Sequence, residues 1–118
     1  MATFSDGFFG YEKAEDIHGQ IRLCRSAGKN CLHLKNMNFN YACRYSPSQA
    51  SQVRALLDRE GIKALSLWVA KDIEPQKAIA LAEIYGVEYI VAENYKAKMA
   101  IKNMTDKFKV ISKEEKRG

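Results

Sequence analysis

The 118-residue chain is 47% hydrophobic and 28% charged, ordinary values for one globular domain that buries a core without disulfide or metal staples. No apolar run approaches the roughly 20 residues of a membrane span, and Met1 to Gly10 lacks the basic-then-apolar order of a secretory signal; no membrane partner and a cytoplasmic location are therefore expected. The net charge of +5 is local, since residues 1–94 carry 11 Lys/Arg against 11 Asp/Glu and residues 95–118 carry 8 against 3. A basic C-terminal segment of this kind can attract nucleic acid or another polyanion.

Taken in chain order, Thr3 to Phe9 offers a short strand. Ile17, Ile21 and Cys24 then fall on one helical face, and Gly28 ends that helix. Cys31-Leu32-His33-Leu34 is a compact apolar run of strand type. Cys24, Cys31 and Cys43 have no zinc-like spacing and read as small buried side chains. Ser46, Pro47 and Gln49 form a helix-start signal ahead of Ala50, Val53, Leu56 and Leu57. Gly61 closes that helix, and Ala64 to Val69 is the next strand. A third helix opens at Asp72 or Ile73, with Glu74 and Pro75 in its first turn, and carries Ala78, Leu81, Ala82 and Tyr85 inward. Gly86 leads into the strand Tyr89 to Ala92. Ala97, Ala100, Ile101 and Met104 repeat the helical pattern, and Phe108 to Ile111 is a last strand.

The same unit thus recurs: an amphipathic helix, a glycine, a short polar link and a compact apolar strand. Helices alternating with buried strands specify an α/β fold with a parallel sheet and right-handed crossovers. Residues 1–111 read as a single domain, and residues 112–118 as a charged tail expected to fray.

In such folds the working edge lies at the carboxyl ends of the strands. Lys35, Asn36 and Asn38 follow one strand, Trp68, Lys71 and Asp72 the next, and Glu93, Asn94 and Tyr95 the third. Such groups can form a polar sugar or phosphate pocket. Lys35 would offset phosphate charge, Glu93 would act as a base, Trp68 would stack on a sugar face, and Asn38 would bind hydroxyls. His33, alternating with Leu32 and Leu34, would join them if the sheet curls; His18 reads as a helix-side residue. His33 and Glu93 are at most two ligands, short of the three or four a metal needs, so no metal site is expected. No glycine-rich phosphate fingerprint and no nucleophile–histidine pairing is present.

Three stretches, Gly28 to Phe39, Ser46 to Trp68 and Glu74 to Glu93, resemble the N-terminal part of the sugar phosphate isomerase/epimerase family, the xylose-isomerase-like TIM barrels. The motifs are Leu32-His33-Leu34-Lys35, Leu57-Asp58-Arg59-Glu60-Gly61-Ile62-Lys63 and Ala80 to Val91, with Thr105 to Val110 similar to the approach to the fifth strand. The resemblance implies repeated βα units forming an incomplete, half TIM barrel. It also implies isomerase or epimerase activity on a sugar phosphate, and a divalent metal as cofactor. Two departures stand against a self-sufficient enzyme. Asn38 occupies a position that often carries histidine in the family, and Ser112 to Gly118 stands where a histidine-rich segment follows the fifth strand. The expectation is a protein inactive alone, or completed as a homo-oligomer or complex subunit that covers the open sheet face. The alternative is a non-enzymatic binding or assembly subunit whose basic C-terminal segment contacts a partner or nucleic acid.

Overall fold

Glycines past the helix ends set the rhythm of the chain. In this computed structural model, which describes residues 3–113, Gly28, Gly61 and Gly86 have φ of +73°, +71° and +74°, the left-handed conformation that turns each helix into its strand. Helix α1 (Ile17–Ser26) begins where the Asp16 carboxylate accepts from the Gly19 amide at 3.0 Å. It delivers the chain to β1 (Cys31–Leu34). A hairpin that the periodicity does not reveal follows, β2 (Asn36–Met37) and β3 (Asn40–Tyr41), and then a 3₁₀ turn at Ala42–Arg44.

Helix α2 (Pro47–Glu60) has the expected start. The Gln49 amide donates to Ser46 Oγ at 3.1 Å, and the Ser46 amide donates to Gln49 Oε1 at 3.0 Å. Strand β4 (Lys63–Val69) follows. Helix α3 (Pro75–Tyr85) opens later than Asp72 or Ile73, because Glu74 is the cap and Pro75 the first helical residue. After β5 (Tyr89–Ala92) comes α4 (Tyr95–Lys102), whose Ala97 amide donates to Asn94 Oδ1 at 2.8 Å. Ile101 is its buried residue, while Met104 lies past its end and is 49% exposed. The last strand, β6 (Lys109–Ser112), runs one residue later than Phe108 to Ile111; residues 114–118 of the expected tail lie outside the described residues.

The four longer strands form one parallel sheet in the order β1-β4-β5-β6. That is chain order with no reversal, whereas a doubly wound sheet switches direction partway. With right-handed crossovers such an order puts its helices on one face, and α2 lies against α3 and α3 against α4. Leu32, Leu34, Leu67, Val69 and Ile90 join Ile17, Ile21, Leu57, Leu81 and Tyr85 in the core between sheet and helices. Cys24, Cys31 and Cys43 are free thiols, all buried, as their apolar settings suggest. Among the described residues no helix is long and apolar enough to cross a membrane.

The opposite face carries His33, Ser66, Trp68, Tyr89 and Val91 by alternation and register, and the N-terminal segment lies over part of it. Thr3 to Phe9 is not the expected strand. Phe4–Asp6 is a 3₁₀ turn, and Phe8 alone bridges Leu32 in parallel. The Phe8 amide donates to Cys31 O at 2.8 Å and the His33 amide to Phe8 O at 3.0 Å. Gly7 and the three phenylalanines of this segment, Phe4, Phe8 and Phe9, favour this close, irregular path over a ladder.

Candidate functional site

Lys35 and Trp68 meet at the carboxyl edge of the sheet. β1 and β4 are neighbours, so residues that follow their ends fall side by side. The Lys35 ammonium lies 4.9 Å from the Trp68 ring centroid and 5.5 Å from that of Tyr11. An ammonium over two aromatic faces is held by their quadrupoles, worth about 0.5–2 kcal/mol depending on desolvation. Among the described residues no carboxylate pairs with Lys35.

The cluster continues along the edge. Tyr41 of β3 packs on Trp68 with centroids 5.0 Å apart, and the Arg44 guanidinium is 5.8 Å from the Tyr41 ring. Arg44 Nη2 donates to Asp72 Oδ1 at 2.9 Å, tying the 3₁₀ turn to the link before α3. That hydrogen bond holds the Asp72 carboxyl below its usual range, and burial pushes the Tyr11 hydroxyl up. Three aromatic rings and two cations thus form one chain of contacts: Tyr11, Lys35, Trp68, Tyr41, Arg44.

The other expected site residues are held by other contacts. The Glu93 Oε1 accepts from the Lys71 amide at 2.8 Å, so Glu93 braces the link after β4. Asn38 sits at the β2–β3 turn. Its Oδ1 accepts from the Ile17 amide at 3.1 Å and its own amide donates to Glu15 O, which pins the hairpin to the start of α1. His18 is exposed, as a helix-side residue should be.

His33 is on the inner face but under the N-terminal segment. Its Nε2 is 2.9 Å from Phe4 O, and its Nδ1 is 2.6 Å from Ser66 Oγ. A carbonyl oxygen only accepts, so Nε2 carries a proton, and a neutral ring then accepts from the Ser66 hydroxyl at Nδ1. Phe9 stacks on the ring at 4.2 Å and Phe4 lies at 4.4 Å. The imidazole is 2% exposed, which makes it a closed structural contact rather than a group facing a ligand.

The resemblance implies a divalent metal. Among the described residues no three His, Cys, Asp or Glu side chains come together to hold one. The donor set of the described residues does not fit that metal. Sequence reasoning missed Tyr11, Tyr41 and Arg44. The one available signal was Asn38-Phe39-Asn40, turn chemistry that folds Tyr41 back beside Trp68. No family model matches the chain, and no curated protein matches it as a relative.

Proposed function

We propose that the chain is the front part of a xylose-isomerase-like barrel, and that the carboxyl ends of β1 and β4 bind a sugar phosphate alongside Lys35 and Trp68. What carries the reading is the position of an ammonium with no carboxylate partner among the described residues, 4.9 Å from the one tryptophan ring. Lysine neutralises phosphate as a point charge, and an indole face stacks on the C–H face of a sugar. The unreversed parallel order of the sheet supports the barrel half of the proposal. Isomerisation is assigned to a completed assembly, with strands from a second copy or another subunit closing the sheet. Lys35 then steadies the anion, and Glu93 serves as base once its carboxylate leaves the Lys71 amide.

Trp68 is its own reporter. Titrating ribose 5-phosphate should change its fluorescence with saturation, and Lys35→Ala should weaken binding at least tenfold. An unchanged Trp68 signal at millimolar ligand, or equal binding by Lys35→Ala, overturns the proposal.

A further inference from the structure

The β2–β3 turn holds a bulky side chain where the backbone disfavours one. Asn38 and Phe39 have φ of +54° and +69°, as a two-residue type I′ hairpin link requires. Asparagine tolerates that region and glycine prefers it, but an aromatic residue is strained there. Phe39 nevertheless occupies the second position and is 85% exposed, so burial of its ring does not offset the strain. The hydrogen bonds of Asn38 to the α1 start fix the turn in place.

Phe39 stands on the rim of an open cleft of about 590 Å³ that also takes in Glu15, Lys35, Tyr41 and Arg44. That volume is within the ~300–1,000 Å³ of small-molecule sites. Three chemistries meet in it. Phe39 offers a flat apolar face, Glu15 an acceptor of the kind that binds ribose hydroxyls, and Lys35 with Arg44 two cations. A sugar phosphate alone uses the last two and leaves the ring without a task. From this juxtaposition we infer that the ligand is a free mononucleotide, its base on Phe39, its ribose hydroxyls on Glu15 and its phosphate between Lys35 and Arg44. The inference rests on the sugar phosphate reading, keeps Lys35 on the phosphate, adds Arg44 to it, moves the ribose from Trp68 to Glu15 and adds the base.

The test compares adenosine 5′-monophosphate, ribose 5-phosphate and inorganic phosphate by Trp68 fluorescence on the full chain. The nucleotide should bind at least tenfold more tightly than ribose 5-phosphate. Phe39→Gly should bring nucleotide affinity down to that of ribose 5-phosphate while raising Tm, because glycine relieves the positive φ. A better-folded variant that loses the ligand separates binding from stability. Equal affinity for nucleotide and ribose 5-phosphate overturns the inference and leaves the sugar phosphate site standing; no binding of either overturns both. A Phe39→Gly variant that keeps the tenfold margin, or a single-stranded oligonucleotide that binds where the mononucleotide does not, also overturns it.

Discussion

Gly7 shows how much one missing atom decides. Its φ of −76° is open to any residue, so the turn does not need glycine for its backbone. The need is space, since a Cβ at this position would run into the His33 imidazole. Gly7→Ala must therefore push the Phe4–Asp6 turn off the ring or shift His33 from Ser66. Overpacking of this kind costs about 1–3 kcal/mol, and a drop in urea midpoint at constant m-value would measure it. An unchanged midpoint would mean the segment slides freely over β1. Nothing in the sequence marks Gly7 as different from Gly10, because the contact joins residues 26 positions apart. The same holds for Lys35 and Trp68: each could be placed at a strand end from its neighbours, but only the pairing of β1 with β4 makes them touch. Glu93 was equally legible as a strand-end residue, and its hydrogen bond to the Lys71 amide was not.

At the scale of elements, local signals succeeded where the chain's own neighbours supply the partner. Ser46, Pro47 and Gln49 fix the start of α2, and Gly61 and Gly86 fix two helix ends within one residue. Ser46→Ala should lose about 1 kcal/mol, read by denaturant unfolding; a Ser46→Asp variant should keep most of it. The hairpin escaped because two-residue strands have no period to read, and the Asn36–Tyr41 pairing depends on one turn. The N-terminal segment escaped because its order comes from aromatic contacts with β1 and β5. A titrating anchor within it is Asp6, whose carboxylate accepts from the Thr3 amide at 2.8 Å and is held below its usual value by that bond first. A lowered carboxyl stabilises the turn above the unfolded value near 3.8, and the contribution fades as pH falls through the folded value. Acidification below about pH 4 should therefore lower the protection factor of the Phe8 amide, its exchange rate compared with that of the unfolded chain at the same pH, and Asp6→Asn should remove that dependence. A protection factor that falls equally in Asp6→Asn would assign the loosening to another group.

For the whole molecule the question is what keeps a four-stranded parallel sheet from sticking by its open face. The sequence offers a second copy or a partner as remedies, and helices on both faces would be a third. The sheet order excludes the third, since it never reverses. The structure adds a partial remedy of its own. Phe4 reaches across His33 to Tyr89, with ring centroids 5.3 Å apart, and so spans from β1 to β5 over the β4 strand between them. Trp68, Tyr89 and Ile111 stay only half-buried, which leaves apolar surface on this face. The N-terminal cover and any incoming strands therefore compete for one surface. Replacing Phe4 and Phe9 together with serine should cost about 1–2 kcal/mol per ring, below the full-burial values because both are half-exposed. The larger effect should be on association: light scattering of the double variant should show higher mass than the unaltered chain at equal concentration, with far-UV circular dichroism retained. If the cover instead belongs to the interface, the double variant should dissociate. An unchanged mass would show that neither the cover nor this face governs assembly, and that the sheet edge at β6 must be tested next by placing a proline at Ile111.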